Sequence, residues 1–218
     1  MAPESLTSEL LIRAYAAGVF PMADSRHAAR PRWIDPPIRG IIPLDAFHAP
    51  RRLLRKVRQG DFEVRCDTAF ADVIRACADS RPETWINDEI IAAYGGLQAE
   101  GLAHSVECWR GDRLAGGLYG VALGAAFFGE SMFSLEADAS KVALVHLVAR
   151  LVAGSFTLLD VQFVTPHLRQ FGAIEISRRE YHARLAAALE RRARFQRGRD
   201  AGIDSALASF RQSSTQTS

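Results

Sequence analysis

The stretch HSVECWRGDRLAGGLYGVALGAAFF, residues 104–128, decides the fold class of this chain. Polar and apolar residues alternate over 104–109, the tetrapeptide RGDR at 110–113 favours a turn, and an apolar run follows over 114–121. This pattern predicts a β-hairpin that turns again at Gly124 into a third strand, beginning at 125–128. We therefore expect an antiparallel sheet at the centre of the chain.

Helix and strand patterns alternate on both sides of this sheet. Downstream, we expect a helix over 140–153, a strand over 156–164, a short helix near 167–171, and a helix that Ser177 opens with Glu180 as its capping-box partner. Upstream, we expect a strand over 62–65, a helix capped by Asp67, and a helix over 88–100. The predicted class is α+β.

The first sixty residues have a different texture. A helix is expected to begin at Ser8 and end at Gly18, and six of the nine prolines then fall within 21–50, which favours an irregular segment over a sheet. A basic helix over 51–58 should end at Gly60. We predict a small N-terminal domain over 1–60, a catalytic domain over 61–192, and a mobile tail over 193–218, because the last residues are rich in serine and threonine.

Composition excludes several classes of protein. The 218 residues are 48% hydrophobic, which excludes general disorder. With 27 Lys+Arg against 25 Asp+Glu, the formal net charge is only +2, so the overall charge does not indicate a nucleic-acid partner. The longest apolar run, 142–154, is shorter than the roughly 20 residues of a membrane span, so no membrane association is expected. Three cysteines and no signal peptide make the cytoplasm the expected compartment.

The segment over 116–134 combines glycines with aromatic residues and one acid, Glu130. Such strands let a backbone approach a ligand closely, although glycine-rich hairpins also occur simply because they twist. Further on, Asp160 and Gln162 lie at positions i and i+2 of a predicted strand, which directs both side chains to one face.

Several separate motifs occur together: GVFP at 18–21, WI at 85–86, GESMFS at 129–134, ASK at 139–141, DVQ at 160–162, HL at 167–168 and FGA at 171–173. Their order and spacing, over about residues 10–189, resemble the leucyl/phenylalanyl-tRNA protein transferases. The resemblance implies transfer of leucine or phenylalanine, and less readily methionine, from aminoacyl-tRNA to proteins with N-terminal arginine or lysine, which marks them for degradation. It also implies an acetyltransferase-like (GNAT-type) catalytic domain and no cofactor. We expect a monomer.

The same resemblance assigns catalysis to Asp160, Gln162 and Glu130. In that assignment the aspartate orients and polarises the glutamine amide, whose oxygen attracts the proton of the acceptor amine. An amide is a very weak base, so we interpret Gln162 chiefly as a positioning group and leave the identity of the general base open. Glu130 could hold the acceptor's amine or its cationic side chain, or could be a buried glutamate in a bulge.

Binding residues follow from the resemblance in two groups. An apolar pocket for the donor amino acid is expected from Leu118, Phe127, Gly129, Met132, Leu147 and Leu159, with Tyr94 beside it, although all could equally be core. The tRNA is expected on Trp33, which would stack on the terminal adenosine, and on the basic cluster of Arg51, Arg52, Arg55, Lys56 and Arg58, which would contact phosphates.

Three other functions remain to be weighed. An acyl-CoA-dependent acyltransferase should carry a glycine-rich phosphate loop, and neither 113–118 nor 169–174 completes one. A serine hydrolase elbow at Ser131 would need glycine where the chain has Phe133. A non-catalytic protein that binds tRNA or degrons would need the same pocket without turnover. Departures from the family pattern at Met22, Leu135 and Pro166 bear on tRNA affinity more than on the fold.

Overall fold

A computed structural model describes residues 6–23, 31–80, 84–198 and 200–213. The helices are α1 (Ser8–Ala16), α2 (Arg51–Gln59), α3 (Phe70–Asp79), α4 (Asp88–Ala99), α5 (Ala139–Ala153), α6 (Pro166–Arg169), α7 (Arg178–Leu189) and α8 (Ala201–Ser213). The strands are β1 (Phe20–Met22), β2 (Arg32–Ile34), β3 (Ile38–Ile41), β4 (Glu63–Cys66), β5 (Ala103–Arg110), β6 (Arg113–Leu123), β7 (Ala126–Ser134), β8 (Leu158–Gln162) and β9 (Ile174–Ser177).

Seven strands form one mixed sheet in the order β4-β5-β6-β7-β8-β3-β9. The predicted β5-β6-β7 meander is confirmed, and its strands pair antiparallel. Only β7 and β8 pair in parallel among the described strands, and α5 makes the crossover between them. Strands β1 and β2 pair separately as a small two-stranded sheet.

Both faces of the sheet are covered by helices, so the α+β class is confirmed. One hydrophobic cluster joins α2, α5 and α8 to one face, and a second joins α1, α3, α4 and α7 to the other. Strand alternation divides the residues between them: Phe127 enters the first cluster and Phe128 the second. No helix in the described part of the chain is long and apolar enough to cross a membrane.

Two helix starts differ from the sequence prediction. Thr7 caps α1, and the Ser8 hydroxyl instead donates to the Ala93 carbonyl at 3.4 Å, where α1 crosses α4. A Cβ at Gly96 would collide with the Ser8 hydroxyl, so the glycine that weakens α4 in isolation leaves room for this hydrogen bond. Asp67 does not cap α3; buried Glu107 accepts the amide N–H groups that precede the helix, each at 2.9 Å.

The proline-rich segment supplies a strand of the main sheet, which the sequence prediction missed. Strand β3 lies between β8 and β9 and pairs antiparallel with both, because the prolines that flank it end the strand without removing its ladder hydrogen bonds. Strand β8 is correspondingly shorter than the predicted 156–164. The division of the chain at residue 60 stays a prediction.

The expected mobile tail is wrong for residues 201–213, which form α8. Four apolar side chains of α8 are buried on α5 and its surroundings: Ile203, Ala206, Leu207 and Phe210. They recur at helical spacing among alanines and serines, and packing on α5 stabilises a segment whose composition alone predicts little order. Residues 214–218 of the predicted tail lie outside the described residues.

Candidate active site

A cavity of about 680 Å³ opens beside the end of the sheet where β7 and β8 finish. Strands β6, β7 and β8 supply one wall and α5 supplies another, while Phe20, Pro21 and Met22 of β1 contribute to its border. Most of its lining is apolar, and the polar groups that reach it include Glu130, Gln162, Ser140, Thr165 and His167. A largely apolar pocket with few polar groups is typical of a small-ligand site.

A β-bulge aims Glu130 at this cavity. Tyr119 pairs with Ser131 and Gly120 with Gly129, which leaves Glu130 without a partner on β6. A side chain at position 120 would collide with the Phe128 carbonyl oxygen, so this bulge requires glycine opposite it. Bulges often redirect a side chain beside an active site, and here the redirected group is the carboxyl.

Two buried tyrosines donate hydrogen bonds to the Glu130 carboxyl. The Tyr15 hydroxyl donates to Oε1 at 2.6 Å and the Tyr94 hydroxyl donates to Oε2 at 3.0 Å, while the two hydroxyls also contact each other. Burial raises the pKa of Glu130 from 4.5 to about 7; the hydroxyl hydrogen bonds and Arg39 oppose that rise and Asp160 adds to it. The site thus contains a carboxyl that exchanges a proton near neutral pH.

Asp160 belongs to a buried ion pair that does not line the cavity. Arg39 of β3 donates from Nε to Oδ1 at 3.0 Å and from Nη2 to Oδ2 at 2.7 Å, and Tyr181 donates its hydroxyl to Oδ2 at 2.9 Å. The Arg39 guanidinium also lies 4.5 Å from the Phe20 ring centre and 4.3 Å from that of Tyr181. The Arg39 and Asp160 side chains are therefore both buried, and each is neutralised by the other.

Asp160 contacts the main chain of Gln162, which differs from the predicted contact with its side chain. The Gln162 amide N–H donates to Asp160 Oδ1 at 2.9 Å, and Gln162 has a φ of 58°, in the left-handed region. The side-chain nitrogen Nε2 is buried without a hydrogen-bond partner. A non-glycine residue in this conformation costs about 1–3 kcal/mol and is typical of functional sites. The ion pair therefore stabilises a strained turn that places the Gln162 side chain in the cavity wall.

Sequence comparison gives this geometry a family. The family model described as leucyl/phenylalanyl-tRNA protein transferase matches residues 41–186, and the model for the N-terminal domain of the same family matches residues 4–37. The chain belongs to the leucyl/phenylalanyl-tRNA protein transferase family.

Relatives with that name cover most of the chain. The protein of Paramagnetospirillum magneticum is 60% identical over 205 residues, which are 93% of this chain and 98% of the relative. The protein of Phenylobacterium zucineum is 66% identical over 182 residues, which are 82% of each chain. That of Caulobacter vibrioides is 61% identical over 189 residues, or 85% of this chain and 87% of the relative.

In this member of the transferase family, most of the predicted pocket residues come together. The cavity wall contains Leu118, Gly129, Met132, Leu147 and Leu159, together with Glu130 and Gln162. Phe127 is an exception: it belongs to the same hydrophobic cluster as the pocket leucines but packs against Phe156 and Phe195 and does not line the cavity. Tyr94 is also absent from the wall; it lies behind Glu130, to which it donates a hydrogen bond, and packs edge-on against Tyr119, which lines the cavity.

The predicted tRNA residues lie outside the cavity. Trp33 is 39% exposed on β2, opposite Pro21, which lines the cavity border. Arg51, Arg52, Arg55 and Arg58 are exposed on α2. Lys56 differs from them, because its ammonium pairs with Asp138 at 3.1 Å and donates to the Ala137 carbonyl, just before α5.

Sequence reasoning missed Arg39, Tyr15 and Tyr181, which support the three proposed catalytic residues. No local signal could have found them, since each contacts a residue 21 to 121 positions away along the chain. Among the described residues, no group of three or more His, Cys, Asp or Glu side chains is arranged to hold a metal ion.

Proposed function

We propose that this chain transfers leucine or phenylalanine, and less readily methionine, from aminoacyl-tRNA to the α-amine of proteins that begin with arginine or lysine. The observation that carries the proposal is the combination of an apolar cavity with a single near-neutral carboxyl, in a chain of this family. The donor ester is already activated, so the reaction needs a bound donor side chain, a free amine and correct alignment.

The apolar wall accounts for the donor. Leu118, Leu144, Leu147 and Leu159 offer only hydrocarbon, and half-buried Met132 adds a flexible, polarisable group that suits branched and aromatic side chains. Burial contributes about 0.8 kcal/mol per methylene, which favours leucine and phenylalanine over alanine. Charged donor side chains would lose their hydration without gaining a partner.

Glu130 accounts for the acceptor. An N-terminal amine has a pKa of roughly 7.7–8.0 and arrives mostly as ammonium, so a carboxylate with a pKa of about 7 is matched to remove its proton. We propose that the proton passes from the ammonium nitrogen to a Glu130 oxygen. The freed nitrogen lone pair then attacks the ester carbonyl and forms the peptide bond, and the bond to the tRNA 3′ oxygen breaks as that oxygen takes up the second proton, which the nitrogen loses.

Gln162 is proposed to align the reactants, with Asp160 and Arg39 as positioning residues. Its turn is held through the main chain, which places the Gln162 side chain at the cavity without polarising its amide group. This arrangement supports a hydrogen bond from the unpartnered Gln162 Nε2 to the ester or to the acceptor carbonyl. The negative charge of Asp160 serves to bind Arg39 and the Gln162 amide rather than to accept a proton.

The donor's RNA is proposed to lie over Trp33 and α2. Stacking of the terminal adenine on an exposed indole supplies about 1–3 kcal/mol with little sequence preference, which suits an end common to all tRNAs. The exposed arginines of α2 would neutralise phosphates. Since charged tRNA is a cytoplasmic molecule, we also propose a cytoplasmic enzyme. Its monomeric state and the acetyltransferase-like description of its catalytic domain remain proposals.

Transfer of radiolabelled leucine from tRNA to a peptide with N-terminal arginine tests the function. We expect labelled peptide with N-terminal arginine or lysine, and none with the same peptide N-acetylated, because acetylation removes the nucleophile. Glu130→Gln should lose transfer, while the exposed control Glu63→Gln should keep it. Acylation by an acyl-CoA but not by leucyl-tRNA, or tight tRNA binding without turnover, would contradict the proposal and favour one of the two alternatives.

A further inference from the structure

A second basic surface lies near the end of β6 and the turn into β7, at the opposite ends of the strands from the proposed active site. Residues 191–198, here called the arginine strap, contain Arg191, Arg192, Arg194 and Arg197. The strap borders a cavity of about 710 Å³ whose lining includes all four arginines and His104 but no aspartate or glutamate. We propose that the arginine strap binds the phosphate backbone of the tRNA donor, at a distance from its aminoacyl end.

The strap is held in place by its backbone and by one aromatic side chain. Phe195 is buried between His104 and Phe127, with ring centres 4.2 Å and 5.8 Å away and nearly parallel planes. The Arg194 amide N–H donates to the Gly154 carbonyl at 3.0 Å, at the end of α5. The arginines are therefore presented on a fixed concave surface, which lowers the entropic cost of binding an anion.

Most of the charge on this surface has no ion-pair partner among the described residues. Throughout the described ranges, Arg191, Arg192 and Arg194 take part in no ion pair, whereas Arg197 pairs with Asp67 at 2.7 Å. Clustering like charges costs stability through mutual repulsion, and the packing of the strap needs only Phe195 and the backbone. Three unneutralised arginines facing one cavity thus point to an anionic ligand outside the chain.

The position of the strap favours RNA over a small anion. The Lys56 end of α2 meets the residues just before α5, and the strap meets the residue just after α5, so basic surfaces flank both ends of one 15-residue helix. That helix is about 22 Å long, which corresponds to about six or seven phosphate spacings along one strand of a duplex. Both basic surfaces lie on the same face of the sheet.

The surface between them permits a close approach. Helix α8 packs along α5, and its exposed positions are mostly small and uncharged, including Ser205, Ala208 and Ser209, with Asp204 as the acidic exception. A duplex could therefore cross α8 and reach α2 and the strap together. Between the two basic surfaces, a cavity lined by Arg58 and the buried Arg150 also contains Glu63 and Asp204, so this part of the route has mixed charge and the phosphate contacts are assigned to α2 and the strap.

The inference rests on tRNA as the proposed donor, and binding measurements test it independently of transfer. The triple variant Arg191→Gln, Arg192→Gln, Arg194→Gln removes three charges from the strap. Each lost phosphate contact lowers the slope of log affinity against log salt by about 0.9, so three contacts reduce the loss of affinity between about 50 and 200 mM salt by roughly 40-fold. The control Arg13→Gln, Arg75→Gln, Arg184→Gln removes the same charge from exposed positions on α1, α3 and α7.

We expect the strap variant alone to bind uncharged and leucylated tRNA more weakly at low salt and with the reduced slope. Its rate with a short aminoacylated CCA trinucleotide, which cannot reach the strap, should equal that of the unaltered protein. A salt slope equal to the control's would overturn the proposal. The proposal would also be overturned if the strap variant lost as much rate with the trinucleotide as with full-length leucyl-tRNA. The same holds if the variant lost binding to a free nucleoside triphosphate while its tRNA binding stayed unchanged. If the proposed function is wrong, the unaltered protein will not transfer leucine, but the dependence of tRNA binding on salt can still be measured and compared.

Discussion

The substitution Glu130→Gln tests whether this carboxyl holds a proton near neutral pH. In the native chain the pKa of Glu130 is about 7, against 4.5 without the surrounding protein, because burial of the carboxyl outweighs the opposing effect of the hydrogen bonds from Tyr15 and Tyr94. Between these two values the native protein keeps a proton that the unfolded chain has released. Native stability conferred by this group is therefore complete below the lower pKa and is lost as the pH rises toward 7.

The size of the effect follows from the difference of the two pKa values. At about 1.36 kcal/mol per unit, the free energy of unfolding should fall by about 3 kcal/mol in total, of which roughly 2.5 kcal/mol lies between about pH 5 and pH 8. Glutamine resembles the protonated carboxyl and cannot titrate. The difference in unfolding free energy, variant minus unaltered protein, should thus rise by that amount from the lower pH to the higher one.

Urea unfolding of both proteins at the two pH values measures this difference, since titration of all other groups cancels in the subtraction. The control Glu9→Gln, at an exposed ion pair on α1, should change stability by less than about 1 kcal/mol. In single-turnover transfer, kcat/KM of the unaltered protein should rise through about pH 7, while the glutamine variant should be about 10²-fold slower or more and lack that rise. A constant stability difference, together with an unchanged pH profile, would refute the proton-accepting role of Glu130.

Three other substitutions test the surrounding structure. Asp160→Asn should destabilise the fold by about 3–5 kcal/mol in urea unfolding, because it leaves the Arg39 guanidinium buried without its counter-charge. An effect below about 1 kcal/mol would contradict this reasoning. Met132→Phe should narrow the cavity and lower kcat/KM for phenylalanyl-tRNA about tenfold relative to leucyl-tRNA, and an unchanged ratio would remove Met132 from the donor pocket. Leu207→Ala should cost about 2–5 kcal/mol if α8 is part of the core, whereas a mobile tail would show no change.

Local patterns in the sequence were sufficient for the central elements of the fold. The alternation over 104–109, the turn at 110–113 and the glycine at 124 specify β5, β6 and β7, because strand periodicity and turn chemistry act between near neighbours. The same holds for α7, where Ser177 caps the helix by accepting the Glu180 amide N–H. The motifs around Glu130 and Gln162 likewise identified residues that do line one cavity.

Only the tertiary structure decided how those residues are supported. The prolines around β3 concealed a strand whose Arg39 neutralises Asp160, and the alanines and serines of α8 concealed a helix, because each is stabilised mainly by contacts with distant segments. The bulge at Glu130 turns one side chain toward two tyrosines that lie 36 and 115 residues away, and this burial sets its pKa. Periodicity describes which face a residue takes within its own element. Burial and charge pairing depend instead on which elements pack against each other, and that packing is fixed only in the complete fold.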